Sequence, residues 1–263
     1  MTLRTLGALS LTLVLAACSQ TPTGRSQLTL FSDQEINQMG DQSFQQYQQK
    51  LPTVGGATAD YVQCVAHAVT AQTNSGENWE VKVFKDDSAN AFALPGGHIG
   101  VNTGLLEVAK NQNQLATVLG HEVAHVLAHH ANERVSTQAA TQTGLSVLQS
   151  AAGLEGQGGQ QLMGLLGMGA KYGILMPFSR KQESEADTLG LNLMARAGFD
   201  PRASIDLWKN MEANSQGQPP AWLSTHPSHG QRIDGLQAQM DQALTLYRQA
   251  RDAGRTPDCR RPG

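Results

Sequence analysis

Apolar residues recur at helical spacing along most of the chain, with one stretch of alternation in its first half. Ser32-Asp33-Gln34-Glu35 is a capping-box pattern, in which a hydroxyl and a carboxylate three residues apart satisfy each other's free backbone amides. It predicts a helix running to about Lys50. Pro52 to Gly56 breaks that helix. Tyr61, Val65, Ala68 and Val69 then share one face of a second helix, about Ala57 to Thr73, which Asn74-Ser75-Gly76 ends. Trp79 to Phe84 alternates as a strand does, and Asn90 to Val101, interrupted by Pro95-Gly96-Gly97, predicts a hairpin or two short strands. From Thr103 onward the period is helical: about Leu105 to Ala109, Gln114 to Arg134, Thr137 to Ala151, Gln161 to Lys171, Arg180 to Ala197, Arg202 to Ala213 and Gly230 to Arg251. Gly, Ser and Pro mark loops at Gly153 to Gly159 and Asn214 to Ser228. The expected class is α+β and mainly helical, with a small early β-sheet.

The two ends depart from this body. Residues 1–17 carry one charge, Arg4, before an apolar run from Leu6 to Ala17, the layout of a secretory signal peptide. That run is shorter than the roughly 20 apolar residues a bilayer span requires. It ends Leu15-Ala16-Ala17-Cys18, which resembles the bacterial lipobox, so Cys18 is the expected lipidated N-terminus; ordinary cleavage near Ala17 is the alternative. Ser19, not Asp, follows the cysteine, which in lipoproteins of Gram-negative bacteria implies sorting to the outer membrane, with the protein anchored by lipid on its periplasmic face. Residues 18–31 read as a lipidated tether, 32–251 as one domain and 252–263 as a C-terminal tail. With Cys18 acylated, Cys64 and Cys259 remain an even pair in an oxidising compartment; a disulfide and two separate thiols both fit. Leu162 to Phe178 is apolar but holds Lys171 and four glycines, which reads as a buried helix or a flap over a site, not a second span.

Composition narrows the function classes. The 263 residues carry 19 Lys and Arg against 22 Asp and Glu, a formal charge of -3 and a pI near 6.2. Neutralising phosphates takes a basic face, and this charge balance gives no electrostatic reason to expect a nucleic-acid partner. Only 16% of the chain is charged, and 27 glutamines supply much of its polarity.

The chemistry gathers at His121-Glu122-Val123-Ala124-His125. Histidines at i and i+4 lie one turn apart on one helix face and can converge on one metal ion, while the intervening glutamate is turned aside and can serve as a general base. Leu115, Val118, Leu119, Val123, Val126 and Leu127 make the helix apolar on several sides, as a buried site helix would be. A metzincin would have Gly at 128 and His at 131, where this chain has Ala128 and Ala131. His129 and His130 read as helix-end histidines outside direct ligation. A third ligand is available downstream in Glu183-Ser184-Glu185-Ala186-Asp187, where Glu183 and Asp187 share a face behind a Ser179–Gln182 capping box. One carboxylate can bind the metal while the other orients a ligand histidine.

These motifs, with Asn90-Ala91-Phe92-Ala93 before Pro95-Gly96-Gly97 and with Thr225-His226-Pro227 before Arg232-Ile233, resemble the gluzincin metallopeptidases that include the CAAX prenyl proteases, HtpX, BepA and LoiP. The resemblance covers roughly Ser32 to Arg251 and implies a zincin-type catalytic domain with the His121–His125 helix packed on the small sheet. It implies one zinc ion held by His121, His125 and Glu183, with Glu122 as base, Asp187 behind a ligand histidine and His226 facing the zinc, either to stabilise the developing oxyanion or to occupy the open position at rest. Asn90, Ala91, Phe92 and Ala93 would bind substrate as an added strand. The lipobox and the missing transmembrane helices point to the LoiP-like periplasmic branch. The expected activity is a zinc metalloendopeptidase acting on unfolded or misfolded envelope proteins, with outer-membrane proteins or their assembly machinery as further partners. A chaperone-like assembly factor whose protease site is gated, and a peptidoglycan hydrolase, are the competing readings.

Overall fold

The computed structural model describes residues 18–151, 177–214, 221–226 and 232–262. Residues 1–17, the stretch 152–176 that holds most of the apolar flap or helix, and Pro227 of the His-Pro pair lie outside the described residues.

In chain order the elements are β1 (Cys18–Gln20), β2 (Ser26–Leu28), α1 (Asp33–Lys50), β3 (Thr53–Val54), α2 (Ala57–Thr70), β4 (Glu80–Phe84), β5 (Ala91–Leu94), β6 (His98–Asn102), α3 (Thr103–Val108), α4 (Gln112–Leu127), α5 (His130–Ala151), α6 (Arg180–Arg196), α7 (Ala203–Asn214), α8 (Ala221–Thr225) and α9 (Arg232–Asp252). The four-stranded sheet has the order β3-β4-β6-β5, with β4 parallel to β6 and β5 antiparallel to it. Among the described residues β5 is therefore an edge strand, paired on one side only. The class is α+β and zincin-like, with α4 packed between this sheet, α2 and α6.

Helix α4 is buried on nearly every side. Leu115, Val118, Leu119 and Val123 have no exposed surface and pack with Tyr61, Val65, Val81, Ile99 and Val101. Each such buried aliphatic side chain contributes about 1.5–3 kcal/mol, which offsets the cost of carrying His121, Glu122 and His125 into the same interior. Asn111 caps the helix, its side chain accepting from the amides of Asn113 and Gln114. Ser32 and Ser179 start α1 and α6 with the capping boxes legible in the sequence.

Three expectations are corrected. The pattern reads one helix from Gln114 to Arg134, but α4 stops at Leu127 and α5 starts at His130. Ala128 closes α4, and His129 takes a left-handed φ of +52°, which turns the chain sharply. The predicted loop after Asn214 contains the short α8. Residues 18–31 are not a free tether: β1 and β2 form an antiparallel hairpin beginning at Cys18, and Arg25 docks it onto the domain through Glu133 at 2.6 Å and Glu185 at 2.7 Å. A buried carboxylate such as Glu185 needs a partner, and the hairpin supplies it.

The C-terminal tail returns to the start of α4, where Gln112 accepts from the Cys259 amide at 2.8 Å and donates to the Pro257 carbonyl at 3.0 Å. Cys259 is bonded to Cys64 of α2, with Cα atoms 5.6 Å apart. No helix among the described residues is long and apolar enough to cross a membrane.

Candidate active site

Helix α4 projects His121 and His125 from one face, with their Nε2 atoms 3.0 Å apart. Helix α6 lies against that face because Gly120 and Gly190 meet backbone to backbone: a Cβ on Gly120 would stand 2.7 Å from the Gly190 carbonyl oxygen. This close crossing brings Glu183 within 3.4 Å of His121 Nε2 and 3.5 Å of His125 Nε2. The end of α8 adds His226, whose Nδ1 lies 3.0 Å from Glu183 and 3.2 Å from His121 Nε2.

These four residues are all buried, and one donor atom from each falls within 4.8 Å of the others. Donors at about 2.0–2.1 Å from a tetrahedral ion stand roughly 3.4 Å from one another. The observed separations of 3.0 to 3.5 Å and the set of three imidazoles and one carboxylate fit zinc. His129 and His130 do not join the four.

Around this group the polar atoms are paired. Asp187 lies 3.0 Å from His121 Nδ1 and, with Glu183, accepts from Arg232, which donates to both carboxylates and stacks 4.1 Å over the Trp208 ring. Glu122 accepts from the Trp222 indole at 2.6 Å and faces His226 Nε2 at 3.4 Å. Phe178 stacks on the His125 ring, with centroids 3.7 Å apart, and lies beneath the Arg134 guanidinium at 3.5 Å.

Sequence reasoning gave no role to Trp222 or Arg232, and it set His130 aside. Trp222 stands in a segment read as loop, and Arg232 entered only through the family resemblance. His129 and His130 are adjacent yet opposite in fate: His129 is half exposed, while His130 is fully buried against His125. No sequence signal marked His130, because its burial depends on the left-handed turn at His129 that ends α4.

Burial and pairing shift the ionisable groups strongly. Burial opposes charge on His121, but hydrogen bonds to Asp187 and Glu183 prevail and raise it to about 9 in the metal-free protein. Burial holds His125 well below its ordinary value and brings His130 down to about 4 despite Glu185. Burial works against ionised Glu183 and Asp187, yet both are lowered, Glu183 by its three histidines and Asp187 chiefly by Arg232. Glu185 falls to about 2, where hydrogen bonds from Thr21, Thr23, Arg25 and His130 overcome burial.

The edge strand borders the group. A cavity of about 50 Å³ is lined by Asn90, Ala91, Phe92 and Ala93 together with Glu122, His125, Phe178 and His226. A larger cavity, about 510 Å³, opens between α1, α4 and α6, but it touches only His125 of the four converging residues. Size therefore does not mark the reaction site.

A family model, Peptidase family M48, matches residues 57–240. The chain belongs to peptidase family M48. Among similar proteins, the mitochondrial metalloendopeptidase OMA1 of Schizosaccharomyces pombe is 37% identical over 71% of the chain and 54% of its own length. The β-barrel assembly-enhancing protease of Yersinia pestis is 30% identical over 81% of the chain and 45% of its own length. The metalloprotease LoiP of Escherichia coli is 26% identical over 80% of the chain and 82% of its own length. The chain thus spans about half the length of the first two relatives. The M48 assignment agrees with the resemblance in the motifs, while identity is higher to this OMA1 than to LoiP and does not single out a LoiP-like branch.

Proposed function

We propose that the chain is a zinc-dependent endopeptidase that cleaves unfolded or misfolded proteins of the bacterial envelope. The observation that carries this reading is the convergence of His121, His125 and Glu183 beside a glutamate fixed by Trp222 and next to a strand edge left unpaired among the described residues. His121, His125 and Glu183 would hold one zinc ion, and Asp187 would fix the His121 ring. When bound, zinc supplies a Lewis acid that makes water a usable nucleophile near neutral pH. Glu122, oriented by the Trp222 indole, accepts the proton of the attacking water and delivers it to the departing amine. With zinc bound, His226 would offer a fourth donor, and once displaced by substrate it would be placed to donate to the developing oxyanion.

An extended peptide adds to β5 through main-chain hydrogen bonds, a mode that selects for unfolded segments over particular side chains. Asn90 Oδ1, buried without a partner among the described residues, is an acceptor for a substrate amide at this edge.

In this reading residues 1–17 are removed as a lipoprotein signal peptide, Cys18 carries the lipid, and the domain of residues 32–251 faces the periplasm from the outer membrane, as in a LoiP-like branch. The names of the two bacterial relatives, a metalloprotease and a β-barrel assembly-enhancing protease, support an envelope role. With β1 starting at Cys18, little free chain would separate the lipid from the folded hairpin.

His226 in the fourth donor position also favours a second reading, a chaperone-like assembly factor for outer-membrane proteins whose protease site is gated. Complementation of a deletion strain separates the two. Glu122→Gln is expected to fail to restore envelope function while folding and binding zinc normally; full restoration by this variant would favour the binding role.

A further inference from the structure

The two α4 histidines are supported differently. His121 presents Nδ1 to a carboxylate, Asp187, at 3.0 Å. Among the described residues His125 has no carboxylate at its Nδ1: that atom faces His130 Nδ1 at 2.8 Å, and His130 Nε2 lies 3.1 Å from Glu185 Oε2. His130 has no exposed surface. Glu185 accepts from Arg25 Nε at 2.7 Å and from the Thr23 hydroxyl. The other Arg25 nitrogens donate to Glu133 at 2.6 and 2.8 Å, and Gln182 donates to the same carboxylate at 2.8 Å.

We infer that His130 is a positioning residue for His125, part of a relay Arg25–Glu185–His130–His125 through which the N-terminal hairpin holds a metal-ligand histidine. The inference rests on the zinc reading above.

The direction of the relay follows from donor arithmetic. Glu185, ionised and already served by Arg25 and Thr23, can only accept, so His130 Nε2 carries the proton and donates. A neutral imidazole has one N–H, which leaves His130 Nδ1 as an acceptor. The 2.8 Å contact is then satisfied only if His125 Nδ1 donates. His125 consequently keeps its lone pair on Nε2, the atom that points at His121 and Glu183. Reversal of the His130–His125 bond would place a proton on that Nε2 and remove the ligand.

Local backbone makes the relay. The left-handed turn at His129 ends α4 and folds the first residue of α5 under the last turn of α4, with the His125 and His130 rings 4.9 Å apart and 68° inclined. A packing role alone would be met by an apolar ring. Here both ring nitrogens are used, in one order, and the chain of bonds ends on an arginine from the hairpin that begins at Cys18.

The test uses the mature protein with zinc affinity read by chelator competition, the absorption spectrum of the cobalt-substituted protein, and thermal melting as a control for folding. His130→Phe, which keeps the ring and breaks both bonds, is expected to weaken zinc binding by about 10–100-fold and to shift the cobalt spectrum. His130→Asn, which can still accept from His125 Nδ1, is expected to recover most of that affinity. Arg25→Met, at the partly exposed end of the relay, is expected to weaken zinc several-fold without touching α4. A His130→Phe protein with wild-type zinc affinity and spectrum overturns the relay. Should that variant not fold, unchanged affinity in Arg25→Met overturns it instead. Failure of the wild-type protein to bind zinc would count against the zinc reading itself, a distinguishable result.

Discussion

At the scale of single residues, burial and pairing push the site's ionisable groups in opposite directions, and this gives the metal-free protein a characteristic pH profile. His121 is raised to about 9, so the folded chain keeps a proton that the unfolded chain releases near 6.5; that stabilisation is complete below 6.5 and is lost as pH rises toward 9. His125 and His130 are lowered, so the unfolded chain takes up protons near 6.5 that the folded chain refuses, and stability falls as pH drops below 6.5. Glu183, Asp187 and Glu185 are lowered too; their stabilisation is present above the ordinary carboxylate range and is lost as pH falls through their folded values. Urea unfolding of chelator-treated protein from about pH 5 to 9 is therefore expected to show maximal stability near pH 6.5 to 7, declining on both sides. Stability that keeps rising above pH 7 would show that His121 is not held by Asp187 and Glu183 as described.

At the scale of elements, the site depends on how closely α4 and α6 approach. Gly120 and Gly190 touch through backbone atoms, and no side chain at either position fits without moving a helix. Gly120→Ala is expected to push α6 outward, weaken zinc binding by at least about tenfold and cost on the order of 1–3 kcal/mol of stability, the range for overpacked interiors. Zinc affinity and a thermal melt check this; wild-type values for both would mean that the crossing tolerates a methyl group.

Much of this level was legible in the sequence. The i, i+4 histidines, the Ser179–Gln182 cap and the Glu183–Asp187 face were local patterns, and the structure places them together. What was not legible is non-local. The stop at Leu127 carries no Gly or Pro; it needs His129 in a left-handed conformation that a bare sequence rarely advertises. Trp222 reaches Glu122 across 100 residues of sequence, and Arg25 reaches Glu185 across 160, so neither contact leaves a periodic trace. The segment after Cys18 looked like linker because its composition is polar, yet its one arginine meets two carboxylates inside the fold.

At the scale of the whole molecule, the first and last described segments are fastened to the elements that build the site. The hairpin at the N-terminal end reaches α5 and α6 through Arg25, and the tail at the C-terminal end reaches α2 and α4 through Cys259 and Gln112. Between them, α4 and α6 hold His121, His125 and Glu183, and the end of α8 adds His226, beside a β5 edge that is unpaired among the described residues. Such a body suits a peptidase that accepts extended chain at a fixed edge and cuts it at a fixed point. The decisive assay incubates the purified protein with an unfolded casein-like substrate, with and without zinc-chelating treatment, alongside Glu122→Gln. Cleavage by the wild type that chelation abolishes and zinc restores, and that falls by at least about a thousandfold in Glu122→Gln, is the expected result. Cleavage that survives chelation, or that proceeds equally in Glu122→Gln, would contradict a zinc-dependent peptidase centred on His121, His125, Glu183 and Glu122.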